Sequence, residues 1–143
     1  MIDFSSSMDN RLIIHIDLDA FYAQVEHVRL NIPREVPLAV RQWHGLIAVN
    51  YAARKFGVTR HMRIDEARRC CPELKAVHVA TYAMGETEFA YHKAPQQATH
   101  KVSLDPYRQA SFKIFGVFRR FCPLVQKASV DEGMHIGSNQ RFI

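Results

Sequence analysis

Long apolar runs are missing from this chain of 143 residues. No stretch approaches the ~20 apolar residues that a bilayer-spanning helix needs. The opening residues, Met1 to Ser7, carry no basic segment followed by an apolar one, so no secretory signal is expected. Cysteine is scarce. Cys70 and Cys71 are adjacent and Cys122 is distant, which gives neither a disulfide framework nor a C-x-x-C metal pair. A reducing, intracellular setting is expected. The eight histidines stand singly, none in an H-E-x-x-H pattern, and no G-x-x-x-x-G-K-[ST] loop is present. Zinc-protease and P-loop chemistry therefore lack support. No internal repeat or low-complexity run is visible.

Apolar residues make up 48% of the chain and charged residues 23%, a globular composition long enough for one ordinary domain. The net charge of +5 is unevenly spread. Residues 41–75 hold Arg41, Arg54, Lys55, Arg60, Arg63, Arg68, Arg69 and Lys75 against only Asp65, Glu66 and Glu73, so this segment carries the whole excess. A local positive field of that kind suits polyanions such as nucleic acid or nucleotide phosphates; a solvated basic face is the plainer alternative.

Residues 1–10 read as a loose polar tail. Residues 11–18 read as a strand with Leu12, Ile14, Ile16 and Leu18 on one face and His15 and Asp17 on the other. Asp19 then suits the N-cap of a helix reaching about Leu30, in which Phe21, Val25 and Val28 recur at helical spacing. Residues 37–42 and 46–50 predict a hairpin through Trp43-His44-Gly45. Short helices follow over 51–56 and 63–71, then a strand over 74–79. Residues 80–103 show no period and read as a loop or insertion. Pro106, with Asp105 as cap, opens a long helix whose apolar face is Tyr107, Ala110, Ile114, Val117, Phe118 and Phe121. Leu124 to Glu132 reads as one continuous alternating strand.

Asp17 and Asp131 fall near the ends of two predicted strands. A sheet pairing those strands brings both carboxylates to one face, and clustered carboxylates need cations to hold them. Hard oxygen donors suit Mg²⁺, and a pair of such ions can activate an attacking oxygen and stabilise a leaving one. Helix capping or plain solvation is the alternative for each acid, and Asp19 is assigned to capping.

Three stretches carry a family resemblance. Residues 16–26 (IDLDAFYAQVE) closely resemble the opening catalytic motif of the Y-family, or translesion, DNA polymerases. Residues 47–60 (IAVNYAARKFGVTR) resemble the fingers motif of that family, in detail its polymerase eta branch. Residues 128–132 (ASVDE) resemble its second acidic motif. The resemblance implies an α+β fold: a partial polymerase palm, a mixed sheet with helices on one face, into which a small fingers subdomain is inserted. On that pattern residues 11–24 begin the palm, 25–82 are the fingers, 83–133 return to an incomplete palm, and 134–143 form a tail unlike the family.

The same resemblance implies that Asp17, Asp131 and Glu132 bind two Mg²⁺ ions, with the Leu18 carbonyl as a further donor. Tyr22 matches the steric gate that favours deoxynucleotides, with Phe21 beside it both a nucleotide-side residue and the better core candidate. Tyr51 and Arg54 match triphosphate-binding residues, and Arg60 an arginine reaching the incoming base and phosphate. Gln42 matches a template-base contact and Ile47 the residue over the nascent pair. Asn50 stands where serine is usual, with little effect expected. Implied partners are primer-template DNA, deoxynucleoside triphosphates and, for the full-length family, a sliding clamp whose motif is not in this chain. DNA repair in the nucleus is implied, and no membrane partner.

The resemblance fades after Glu132, and the expected remainder of the palm, its lysine, the thumb and the little finger do not follow. The chain is therefore expected to be an N-terminal portion with little processive activity and a marginal, aggregation-prone fold. The competing readings are a non-catalytic chain that still binds nucleotide or protein, and a cyclase-like palm, against which the fingers motif argues.

Overall fold

The computed structural model describes residues 11–122 and 124–138; the expected tail at 1–10 and residues 139–143 lie outside the described residues. The architecture is α+β, and the described residues divide into two compact units. Unit 1 comprises residues up to Leu18 together with those from Ser111 onward, and unit 2 comprises Asp19–Ala110.

In unit 1, β1 (Arg11–Asp17) pairs antiparallel with β8 (Glu132–Ser138), and β7 (Leu124–Lys127) pairs antiparallel with the other side of β8. The sheet order is β1-β8-β7. The single strand expected over Leu124–Glu132 is instead broken by a turn at Ala128–Asp131, after which the chain reverses into β8. Side-chain chemistry makes that turn. The Ser129 hydroxyl accepts from the Asp131 and Glu132 amides and donates to Asp131 Oδ1 at 2.7 Å.

Gly133 in β8 faces the buried ring of Phe115, and a Cβ at that position would run into the ring. Phe115 belongs to α4 (Asp105–Phe121), and Phe118 meets it edge-on with ring centroids 5.5 Å apart. The fully buried stripe of this helix is Tyr107, Ser111 and Phe115, spaced by four; of the expected face Tyr107 is buried and Ala110, Ile114 and Phe118 are half-buried. Val117 and Phe121 are exposed, as is Phe112.

Unit 2 is built on a second sheet, β3-β2-β4. Strands β2 (Leu38–Gln42) and β3 (Gly45–Val49) form the expected hairpin, and β4 (Lys75–His78) lies parallel to β2. Helices α2 (Tyr51–Arg54) and α3 (Ile64–Cys70) supply Ala53 and Ala67 to one apolar cluster. Val58, Cys71 and Leu74 join it from the connecting segments, packing with Ala39, Leu46 and Val49 of the hairpin.

Residues 80–103, expected to be irregular, contain a small antiparallel pair, β5 (Thr81–Ala83) with β6 (His100–Val102). Three-residue strands are too short to show a period in the sequence. Helix α1 (Phe21–Leu30) ends conventionally, with Asn31 in the left-handed region closing the last turn onto the His27 and Val28 carbonyls. Its start is unusual. The N-cap is Ala20 at φ 47° and ψ 34°, and no side chain caps the helix, so Asp19 does not take the capping role expected of it.

Candidate active site

The acidic residues belong to unit 1. Antiparallel register sets Asp17, at the end of β1, directly opposite Glu132, at the start of β8. The Leu18 amide donates to the Asp131 carbonyl at 2.8 Å, fixing the strand end against the turn. Asp131 therefore sits at the beginning of a strand rather than near the end of one, because the Ser129 turn reverses the chain just before it. The backbone brings Asp17, Asp131 and Glu132 to one end of the β1–β8 pair, the partner of β1 being the strand that begins at Glu132 and not the expected 124–132 strand. Glu132 leans toward His15, with Nε2 and Oε2 3.9 Å apart, and Asp131 accepts from the Ser129 hydroxyl. Among the described residues no three His, Cys, Asp or Glu side chains converge into a metal-holding group. The donor chemistry, carboxylate oxygens at adjacent strand ends, suits a hard cation such as Mg²⁺.

The expected nucleotide-side residues all belong to unit 2. Tyr51 and Arg54 open and close the single turn of α2. Asn50 caps that turn, its Oδ1 accepting from the Ala53 amide at 2.9 Å and from the Leu38 amide at 3.0 Å. The Asn50 Nδ2 group donates to the Val36 carbonyl at 2.8 Å and lies 3.0 Å from His27 Nε2. Asn50 is buried and ties α1, the 34–36 loop, β2 and α2 together, far more than the small effect expected of it. A serine hydroxyl can cap the turn, but its one polar atom cannot stand in for an amide whose oxygen serves the Leu38 and Ala53 amides while its nitrogen faces the Val36 carbonyl and His27.

Arg54 is oriented by its own backbone neighbourhood. Its Nε donates to the Val49 carbonyl at 3.1 Å, and its guanidinium lies 4.7 Å from the Tyr51 ring centroid. The Tyr51 hydroxyl donates to Asp19 Oδ2, and Arg54 Nη2 lies 3.6 Å from Asp19 Oδ1. The carboxylate holds the Tyr51 phenol above its ordinary pKa, first by that hydrogen bond and then by its charge.

The Tyr22 ring stacks on Tyr107 with centroids 4.1 Å apart and planes 12° from parallel. Buried Phe21 meets Tyr22 edge-on. Tyr107 is fully buried and donates to Glu26 Oε1 at 2.9 Å. Glu26, also fully buried, accepts on its other oxygen from Arg29 Nε at 2.8 Å and Nη2 at 2.6 Å. Tyr91 lies beneath that guanidinium at 3.5 Å. Burial, then the Glu26 charge, pushes the Tyr91 phenol up to about 12, and the same causes raise Tyr107.

Neither Glu26 nor Tyr107 was singled out as a site residue from the sequence. The only available signal was a carboxylate at a helix position otherwise facing the core.

Gln42 ends β2 opposite Gly45. The register shift between Val40 and Arg41 pairs them with Ala48 and Leu46, so Ile47 is the extra residue of a β-bulge. Bulges of this kind re-aim a side chain beside functional sites. Arg60 is exposed on the loop before His61, whose positive φ of 70° and amide bond to the Leu46 carbonyl fix the loop against β3. Arg41 Nη1 donates to the Trp43 carbonyl at 2.7 Å, tying down the hairpin turn.

A family model described as the impB/mucB/samB family matches residues 16–136, most of the chain, and the chain belongs to that family. The match contains all three motifs of the Y-family resemblance. The chain is 53% identical over 122 residues to N-acetyltransferase eso1 of Schizosaccharomyces pombe, covering 85% of this chain and 14% of that protein. It is 42% identical over 131 residues to DNA polymerase eta of Saccharomyces cerevisiae, covering 84% and 21% respectively. It is 39% identical over 127 residues to DNA polymerase iota of Drosophila melanogaster, covering 89% and 14%. The chain thus spans between 14% and 21% of the length of these relatives.

Proposed function

We propose that this chain is the acid-bearing and nucleotide-handling part of a translesion DNA polymerase of the eta type, a DNA-repair enzyme acting in the nucleus. The observation that carries the reading is the β1–β8 register, which places Asp17 opposite Glu132 with Leu18 bonded to Asp131. Family membership over residues 16–136 and the polymerase names of its relatives support it. The substrates are primer-template DNA and deoxynucleoside triphosphates.

In this reading Asp17, Asp131, Glu132 and the Leu18 carbonyl hold two Mg²⁺ ions. When bound, those ions supply charge neutralisation for in-line attack of a primer hydroxyl on the α-phosphate. Tyr51 and Arg54 bind the triphosphate, the arginine through its planar fork. Arg60 reaches the incoming base and phosphate. Gln42 contacts the templating base, and the bulge presents Ile47 to the nascent pair. Tyr22, braced by Tyr107, excludes a ribose 2′-hydroxyl.

The test is to exchange residues 16–136 into the Saccharomyces cerevisiae polymerase eta in place of the segment they match. Primer extension that persists, and is lost on Asp17→Ala, is the expected result. A folded chimera that binds nucleotide but never extends would sink the catalytic reading.

A second reading concerns the chain by itself: nucleotide binding without turnover. The ordered α2 turn, with Asn50 capping it and Arg54 Nε fixed on the Val49 carbonyl, favours it. It predicts saturable deoxynucleotide binding by the 143-residue chain, lost on Arg54→Ala, with no extension product.

A further inference from the structure

We propose that Asp19 is a built-in occupant of the phosphate site, its carboxylate holding Tyr51 and Arg54 until a polyphosphate displaces it. This rests on the reading above that Tyr51 and Arg54 take the triphosphate. Three observations carry it.

The first is that Asp19 has been released from its local duty. Ala20, not Asp19, is the N-cap of α1, and Ala20 adopts the left-handed conformation that alanine disfavours. No side chain caps that helix. The Gln24 amide donates to the Asp19 carbonyl at 2.6 Å, which fixes the backbone while leaving the carboxylate to reach α2.

The second is the pattern of contacts. One carboxylate oxygen accepts from the Tyr51 hydroxyl and the other faces Arg54 Nη2 at 3.6 Å. Two anionic oxygens against a phenol and a guanidinium edge are what two phosphate oxygens would present. Arg54 Nε is already committed to the Val49 carbonyl, so the Nη2 edge that Asp19 faces is the edge that remains for a ligand.

The third is exchangeability. The Asp19 and Arg54 side chains are 48% and 44% exposed, and Tyr51 is exposed too. An ion pair in that setting is weak enough for a multiply charged anion to replace it. Asp19 therefore keeps the phosphate-binding pair ordered in the empty state. Once displaced, it lowers affinity by staying close to the bound charge.

The test is calorimetric titration of the full chain with inorganic tripolyphosphate in metal-free buffer. Asp19→Asn should tighten binding by roughly fivefold or more, the low end of ordinary coupling between sites. Arg54→Ala should weaken it. Combined with Tyr51→Phe, the gain from Asp19→Asn should shrink, because half of the contact is already gone; a bulk charge effect would leave that gain intact. Weakening by Arg54→Ala with no tightening by Asp19→Asn overturns the role of Asp19 alone, as does an undiminished gain in the double variant. Binding indifferent to Arg54→Ala overturns the phosphate-site reading and this inference with it. All three side chains are exposed, so folding is not at stake in these substitutions.

Discussion

The two units differ in how tightly they hold the residues assigned to chemistry. In unit 2, three of the expected nucleotide-side residues are backed by something buried: Tyr22 by Tyr107 and Glu26, and the α2 turn of Tyr51 and Arg54 by Asn50. In unit 1, the acids lie at the end of a small sheet with Asp17 exposed and Ile13, further along the same strand, 60% exposed. Unit 2, to which the proposed reading assigns the nucleotide, is preorganised by hydrogen bonds made within it. The acidic end of unit 1 is ordered by its backbone register, and in the proposed reading a cation would hold its carboxylates.

The largest break in that contrast is expected from Glu26→Ala. The substitution leaves the buried Tyr107 hydroxyl without its acceptor, opens a cavity where Glu26 was fully buried and frees the part-exposed Arg29, together a loss of about 3–5 kcal/mol. Amide exchange across α1 and the stacked Tyr22 should accelerate, and β1–β8 amides should keep their protection. Equal acceleration in both units would show that they are not separate stability units.

Asn50→Ala comes next. It removes the cap of α2 and leaves the buried Leu38 amide and Val36 carbonyl without their partner, for about 2–3 kcal/mol in a denaturant melt. Asn50→Ser restores the cap alone and should recover only part of it. In unit 1 the counterpart is Gly133→Ala, where the added carbon meets the Phe115 ring. Overpacking there should cost about 1–3 kcal/mol and loosen β8 selectively.

A pH series bears on unit 2. Raised phenol pKa values belong to Tyr51, Tyr91 and Tyr107, all in unit 2. For such a group the folded state keeps its proton while the unfolded state loses it near the ordinary value of 10. The unfolded chain then binds fewer protons, so stability is fully present below pH 10 and falls as pH rises toward about 12, the Tyr91 value. Melts followed from pH 9 upward should weaken unit 2 first, tracked by phenolate absorbance. A flat profile across that window would remove the buried-phenol account.

What the sequence made legible was local. Alternation in residues 11–18, the hairpin around Trp43 and the three motifs each depend on neighbours within a few positions. The roles of Asp19, Asn50 and Glu26 were not legible, because each is decided by a partner far along the chain. Asp19 meets Tyr51, Asn50 meets Val36 and His27, and Glu26 meets Tyr107. An aspartate before a helix looks like a cap until a distant tyrosine claims it. The β7–β8 turn was hidden for a related reason. Ala128 and Val130 continue the apolar alternation of a strand, while the Ser129 hydroxyl makes the turn through hydrogen bonds that hydropathy does not register.

The smallest effect expected is also the most informative about the acidic end. Asp17 and Glu132 are directly opposed in an antiparallel pair, an arrangement in which like charges destabilise by roughly 0.2–1 kcal/mol. In chelator-treated buffer, Asp17→Asn should therefore raise the melting temperature slightly rather than lower it, the reverse of every substitution above. Millimolar Mg²⁺ should raise the melt of the natural chain and do less for the variant, because a ligand that binds the folded state stabilises it more the tighter it binds, with the logarithm of its concentration over Kd. His15→Ala, which removes only a half-exposed neighbour 3.9 Å from Glu132, should leave both melts within about 0.5 kcal/mol. If Asp17→Asn instead destabilises unit 1 as Gly133→Ala does, the carboxylate is a structural part of the sheet. The contrast between a preorganised half and a cation-dependent half then fails at the residue on which the catalytic reading depends most.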